Sequence, residues 1–400
     1  MRVPGDGARG GPGQRTATGG GELSVEGSAV RIRVVAPGRL GESEADAWRA
    51  LRAKSGAPGN PFMEPEFARA VGRVRPAARV AVITEAREGA DWTEGPGAAV
   101  EPAGFFPFEA DPLGRGRALG LGVSDSQGAV LRPGLRLAAD ELLRACSLAA
   151  WEFDNLEEGQ TSFMAGAADA FESPVVDVGN GFAAYEAALR ERSPTFYRTT
   201  TAKERRLGRQ VGEVRFVFDE RDPAVLAKLM EWKSAQYRRT GRRDRFAKEW
   251  IRDLVRLLAG TRSPGCSGVL SVLYAADRPI AAHFGLRSRT VLSCWFPAYD
   301  TGFAKYSPGL VLHLRMARAA AAEGIGMLDL GRGAAEYKDS LKTGGLTVYE
   351  GAVVRPGPRA ALYRLSREPG RRVHGFVRDR PELASLARRT LNQIGRVRAR

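Results

Sequence analysis

The stretch VLSCWFPAYDTGFAKYSPGLVLHLRMARAAAAEGIGMLDLGRGAAEYK, from Val291 to Lys338, decides the fold. Thr290–Tyr299 reads as a strand, Leu310–Glu323 as a helix ended by Gly324, and Ile325–Leu330 as a second strand. A strand–loop–helix–strand unit of this length fits a parallel crossover. The loop carries Lys305-Tyr306-Ser307-Pro308-Gly309. Ser307 suits the N-cap, Pro308 the first helical position, and Gly309 a close approach of backbone. Such a helix start offers unpaired N–H groups and the positive end of a dipole, which together favour an anion. Lys305 adds a point charge. A plain capped helix has the same spacing. The loop has neither the P-loop pattern nor GxGxxG, so ATP and NAD are unsupported.

Working outward, Gly268–Ala275 and Ile280–Arg287 precede this unit as a meander, with turns at Asp277-Arg278-Pro279 and Ser288-Arg289. Ala334–Leu341 reads as a short helix and Leu346–Val353 as the last strand. The order is β-β-β-α-β-α-β. Helices are expected before it at Gly181–Arg192, Thr200–Gln210, Pro223–Arg239 (capped by Asp222) and Lys248–Leu258, with a strand at Val214–Phe218. An earlier unit shows strands at Val30–Val35, Arg79–Thr84, Ala103–Phe108, Ala118–Leu121 and Trp151–Leu156. Its helices fall at Glu44–Lys54, Glu64–Val74 and Asp140–Ala150. Gly159–Ser173, small and polar, reads as a surface crossover. The chain is therefore α/β (α+β), with a disordered leader over 1–29, one unit over 30–172, a second over 173–357 and an Arg-rich helical tail over 358–400.

Hydrophobic content of 43% and charged content of 27% are those of a soluble globular protein. No run of 18 uninterrupted apolar residues occurs, and the N-terminus lacks the apolar segment of a signal peptide. A cytoplasmic location is the expectation. Cys146, Cys266 and Cys294 are far apart and, with three histidines, give no metal-ligand spacing, so no metal is expected. The net charge of +15 is concentrated at the end, where Arg359–Arg400 holds 12 Arg, no Lys and three acidic residues. Leu383, Leu386, Leu391 and Ile394 among those arginines form an amphipathic basic pattern, compatible with peripheral contact to an anionic membrane or with docking on the domain.

Several segments carry a resemblance: Gly56–Phe67, WKSAQYRRTG (Trp232–Gly241), AAHFGLR (Ala281–Arg287), WFPAYDTGFAKYSPGLVL (Trp295–Leu312) and LDLGRGAAEYKDSLKT (Leu328–Thr343). Over roughly Val30–Val354 the chain resembles CelD/BcsL-type acetyltransferases of the GNAT superfamily, close to the FemABX transferases. The resemblance implies tandem GNAT-like domains, each a mixed twisted sheet flanked by helices, the second holding the stronger donor site. It implies acetyl-CoA or another acyl-CoA as co-substrate. It also implies a small-molecule or glycan acceptor, in envelope polysaccharide or small-metabolite biosynthesis. Trp295, Phe296 and Tyr299 would flank the pantetheine arm, and Lys305, Tyr306, Ser307, Gly309 and Leu310 the pyrophosphate. The usual GNAT phosphate loop, Q/R-x-x-G-x-G/A, is replaced by YSPG.

Acyl transfer from a thioester to an amine or hydroxyl needs a base, oxyanion donors and an acid for the thiolate. His283 is one candidate base, because imidazole titrates near neutrality. Asp329 lies at a strand end, and Glu336, Tyr337 and Lys338 follow on a short helix. Tyr306 or Tyr337 could protonate the thiolate. Tyr237, Asp300 and Arg332 are candidate acceptor contacts. Each of these has a plainer reading: a satisfied half-buried histidine, a solvated helix face, a turn residue. Basic stretches at Arg198–Arg209 and Trp232–Lys248 leave open a FemABX-like enzyme using aminoacyl-tRNA. A non-catalytic binding module is the third reading; nucleic acid other than that tRNA is not expected.

Overall fold

The computed structural model describes residues 20–25, 28–85, 101–333, 335–358, 361 and 363. The Arg-rich tail expected over 358–400 falls almost wholly outside them, as do residues 1–19 of the expected leader; the end of that leader is corrected, because Gly20–Val25 and the start of Ser28–Val35 are paired strands. In chain order, β1 (Gly20–Val25) and β2 (Ser28–Val35) form a hairpin, followed by α1 (Glu42–Lys54) and α2 (Pro65–Val74). Next come β3 (Ala78–Glu85), β4 (Pro102–Ala110), β5 (Arg115–Ala118), β6 (Val130–Leu131), α3 (Ala139–Ala145) and β7 (Ala150–Glu157). β8 (Ala167–Asp177) leads to α4 (Phe182–Arg192), α5 (Pro194–Gln210), β9 (Val214–Val217), α6 (Pro223–Arg239) and α7 (Glu249–Ala259). The chain closes with β10 (Ser267–Ala275), β11 (Arg278–Arg287), β12 (Val291–Tyr299), α8 (Pro308–Ala322), β13 (Met327–Asp329), α9 (Glu336–Leu341) and β14 (Gly344–Val354). The order β-β-β-α-β-α-β from Gly268 onward is present.

Two further expectations are corrected. Instead of two separate sheets, the described strands join in one, in the order β1-β2-β3-β4-β5-β7-β14-β8-β13-β12-β11-β10-β9, with β6 on β4. Residues 159–173 are also not a plain crossover, because β8 begins at Ala167 and runs unbroken through the boundary expected at 172/173. The pairing explains both. β5 lies parallel to β7, and β12 lies parallel to β13. β8 follows β7 in sequence but pairs with β13, whereas β14 follows β13 but pairs with β7. β8 and β14 then pair antiparallel with each other, from Gly344↔Val175 to Gly351↔Ala167. Each half thus completes its sheet with a strand that follows the other half's parallel pair.

Helices cover both faces of the sheet. α7 buries Ile251, Leu254, Val255 and Leu258, one stripe at helical spacing. It packs with α1, α2 and α6 into a core shared by both halves, where Trp48 stacks on Phe105 at 4.8 Å and Phe62 meets Trp295 edge-on at 5.1 Å. On the other face α4, α5 and α8 enclose a second core around Leu189, Leu207, Val311 and Met316. α6 starts as its sequence dictates: the Asp222 carboxylate accepts from Ala224 N at 2.8 Å and Pro223 takes the first position.

Candidate active site

β12 and β13 pair only from Val291↔Met327 to Ser293↔Asp329. β13 then ends while β12 continues to Tyr299, so the sheet opens as a wedge. A bulge sits at the start of the opening: Gly285 opposes Cys294, but Phe284 opposes Phe296, leaving Trp295 as the extra residue. Gly285 is required there. A Cβ would lie 2.4 Å from the Ser293 carbonyl oxygen and 2.6 Å from the His283 ring.

His283 is fully buried, and its Nε2 accepts from Trp295 N at 3.1 Å. Burial, with His313 and Lys233 nearby, pushes its pKa well below the ordinary value. Its lone pair is spent on the bulge, so it positions β12 instead of acting as the expected base. Asp329 is also 98% withdrawn from solvent, being 2% exposed. It accepts from Ser173 Oγ at 2.6 Å, Gly331 N at 3.0 Å and Asn60 Nδ2 at 3.3 Å. Burial raises its pKa against those donors. With both oxygens satisfied, Asp329 ties the two halves together at the apex of the wedge.

The carboxylate at the mouth is Asp125, on the loop after β5. A Cβ on Gly331 would lie 3.3 Å from Asp125 Oδ2, so the acid faces the second half. No hydrogen bond joins that side chain to a described residue. Burial, reinforced by Asp329 and opposed by Arg245 and Lys338, pushes its pKa up to about 7. Lys338 is buried and donates to the Gly331 carbonyl at 2.6 Å. Burial lowers its pKa, and Asp125 and Asp329 offset part of that. Tyr337 lies beside His313, ring centroids 5.2 Å apart, and burial raises its phenol to about 12. Glu336 is exposed, one position before them.

α6 closes the opposite side. Lys233 donates to the Pro297 carbonyl at 2.9 Å and lies over the Tyr237 ring at 5.3 Å. Burial, then the charges of Arg242, Arg245 and Lys338, lower Lys233 to about 8. Tyr237 is half-buried at this wall. The Trp295 indole donates to the Val123 carbonyl at 2.6 Å, bringing the Asp125 loop against β12.

At the start of α8, Ser307 holds the N-cap position but makes no side-chain cap; its backbone is left-handed at φ 50. Its hydroxyl instead accepts from Lys203 Nζ at 2.8 Å, which brings α5 to the helix start. Leu310 N is bonded to the Ser307 carbonyl at 3.0 Å. Gly309 N has no such partner among the described residues, and its own carbonyl pairs with His313 Nδ1 at 2.6 Å. That bond leaves His313 Nε2 as the basic nitrogen. Lys305 is exposed over the Tyr306 ring at 4.9 Å. An ammonium, a hydroxyl and a free N–H at one helix start fit the diphosphate of a CoA thioester.

Other expected residues lie elsewhere. Tyr306 is buried with its hydroxyl on Gln210 at 3.0 Å, so it is not an acid at the wedge. Phe296 is a core residue against Phe246 at 4.9 Å. Tyr299 is half-buried and packs near Gly309. Asp300 caps a turn at Gly302 N, 2.9 Å, and pairs with Arg278. Arg332 pairs with Glu350 at 2.5 Å, lies 3.6 Å from the Phe171 ring and donates to the Asp154 carbonyl. Among the described residues no group of three or more His, Cys, Asp or Glu is arranged for a metal, and no helix is long and apolar enough to cross a membrane.

Residues 195–339, which span the wedge, α8 and most of α9, match the family model described as an acetyltransferase (GNAT) domain. That stretch carries the GNAT acyltransferase fold. FemX is similar over 82% of this chain and 98% of its own, at 11% identity and a TM-score of 0.54. A conserved protein of unknown function from Bacteroides thetaiotaomicron is similar over 79% and 98%, at 11% identity and a TM-score of 0.49. A tandem GNAT protein from the clavulanic acid biosynthesis pathway is similar over 82% and 99%, at 10% identity and a TM-score of 0.45. At 11% identity the likeness to FemX is one of fold. Comparison with curated proteins finds no match.

Asp125, Lys203, Lys233 and His313 are the site groups that sequence reasoning missed or left undistinguished. Lys203 stood in a basic stretch without a role. His313 was the one signal available, an imidazole on the apolar, buried side of a helix whose other polar residues are Arg315 and Arg318.

Proposed function

We propose that the acyltransferase moves an acyl group from an acyl-CoA to an amine or hydroxyl acceptor at the mouth of the β12/β13 wedge. The observation that carries this reading is Asp125, an unbonded carboxyl raised to about 7 that faces Gly331 and feels the charge of Lys338 across the wedge. Such a carboxyl is a general base matched to neutral pH. As the acceptor's nitrogen or oxygen bonds to the acyl carbon and the carbon–sulfur bond breaks, Asp125 takes the acceptor's proton. Tyr337, protonated at neutral pH, gives its proton to the departing sulfur, and Asp125's proton restores it through solvent. Lys203, Ser307, Gly309 and Lys305 would hold the diphosphate. The halves would be tandem GNAT-like units, with the donor in the second.

The acceptor side is cationic. Arg242 and Arg245 form no ion pair among the described residues, whereas Arg238 between Lys233 and them is paired with Asp244 at 3.2 Å. An acceptor carrying a carboxylate or phosphate, such as an acidic metabolite or glycan unit, suits that rim. The test is calorimetric titration with acetyl-CoA, with CoA release measured over acidic and neutral amines. Absence of acetyl-CoA binding ends the acyl-CoA reading. A second reading, an aminoacyl-tRNA donor, is favoured by Arg198, Arg205, Arg206 and Arg209. All are exposed on α5, the helix that sends Lys203 to the α8 start. Stabilisation by aminoacyl-tRNA and not by acetyl-CoA would select it.

A further inference from the structure

The parallel pair of the first half, β5 and β7, is the counterpart of β12 and β13, yet it does not stay open. The strands pair from Arg115↔Ala150 to Arg117↔Glu152 and then part. The chain leaves β5 through the turn at 119–123 and returns at Gln127, which forms an isolated parallel bridge to Leu156 of β7. Gln127 is 3% exposed and fills the gap with a complete set of bonds. Its Oε1 accepts from Asp154 N at 2.9 Å and Asn155 N at 3.1 Å. Its Nε2 donates to Asp154 Oδ1 at 2.6 Å and Ser124 Oγ at 3.0 Å. Its carbonyl accepts from Glu157 N at 2.9 Å. Gln160 clamps Ala129, two residues on, donating to its carbonyl and accepting from its N–H, both at 2.9 Å. The strand-edge N–H groups that an open wedge would present to a ligand are thus taken by the chain itself.

The same segment reaches the other half. Val123 holds the Trp295 indole, and Asp125, two residues before Gln127, faces Gly331. We infer that the segment Val123–Gly128 is a built-in occupant of the first half's wedge, so that the molecule takes a single acyl donor, and that Gln127 is a positioning residue that aims Asp125 at the second half's wedge. An amide fits this task because it satisfies donors and acceptors of one strand edge together. Removing it leaves two buried N–H groups unpaired and Asp154 Oδ1 with only the Asn155 amide at 3.3 Å, so the loop loosens.

The inference rests on the acyl-CoA reading above, and its test separates the two. Titration of the wild-type protein with acetyl-CoA should give one site per chain, and native mass spectrometry should show one CoA retained. No binding at all defeats the acyl-CoA reading and this inference with it. Two sites per chain defeat the inference alone. Gln127→Ala should keep the single site and its affinity within about threefold, raise hydrogen exchange across 119–128, lower kcat roughly tenfold, and shift the acid limb of the pH–rate profile. Gln127→Glu, which retains the acceptor toward Asp154 N and Asn155 N, should recover part of the rate. Unchanged kcat and pH profile in a folded Gln127→Ala overturn the positioning role. If that variant does not fold, Gln160→Ala, which releases only the flank of the segment, is read in the same way.

Discussion

Asp125→Asn should make the protein less active and more stable. The carboxyl is displaced from an ordinary 3.8 to about 7 by burial, with Asp329 adding to the effect. The folded state therefore binds a proton more tightly than the unfolded chain. Below pH ~4 both states are protonated and burial of the charge costs nothing. Between pH ~4 and ~7 the folded state must give up that advantage, and above ~7 the cost is complete. Three pKa units at roughly 1.4 kcal/mol each give a ceiling of about 4 kcal/mol. The side chain is half-buried and keeps some water, and Lys338 loses a counter-charge in the variant, so a gain of roughly 1–3 kcal/mol is expected. The amide is near the same size and cannot take the acceptor's proton. Acyl transfer should fall by about 10²–10⁴, with acetyl-CoA binding retained. Denaturant titrations of both proteins at pH 4.5 and pH 8, with initial rates across that range, read both effects. The gain should be about a quarter of its full value at the lower pH and nearly full at the higher. A gain equal at both pH values, or a variant with wild-type kcat, would refute the assignment.

Three further outcomes follow from the same geometry. Lys338→Met removes a cation that favours the charged form of Asp125, so the acid limb of the pH–rate profile should move to higher pH by about half to one unit; a shift to lower pH contradicts the placement. Lys203→Ala removes the ammonium at Ser307 and should raise KM for acyl-CoA roughly 5–20-fold with kcat within about twofold, read from steady-state kinetics. Gly285→Ala forces a methyl against the Ser293 carbonyl at the bulge and should cost about 2–3 kcal/mol in denaturant unfolding, because backbone on both sides must move.

The parts of the fold that follow a local rule were legible in the sequence. The cap and proline at Asp222–Pro223, the strand–loop–helix–strand unit around α8 and the meander before it all depend on neighbours in the chain. The strand exchange was not legible, because nothing local in Ala167–Asp177 says which half it completes. Its small, polar first half looked like a connector because those residues are largely exposed in the sheet. The site divided along the same line. Tyr337 and Lys338 belong to the stretch that decides the fold, and both reach the wedge. His283 and Asp329 also lie there, but their lone pairs are consumed by Trp295 N and by Ser173, Gly331 and Asn60. Asp125 lies more than two hundred residues from Lys338 in a turn with no periodicity, so only the folded chain brings it into view.

The exchange of β8 and β14 has a consequence for how the protein is made. β7 is complete at Glu157, but the strand that covers its free edge begins at Gly344. At roughly 5–20 residues per second a ribosome needs about 10–40 s to span that interval. Through that time the edge of β7, carrying Trp151 and Phe153, has no partner, and an open edge of this kind invites pairing with a neighbouring nascent chain. The last eleven-residue strand acts as the closing stitch of the whole sheet. A chain stopped just short of it would leave β7 uncovered and β8 paired on one side only, so a premature stop near Thr343 should yield aggregate and not a working protein.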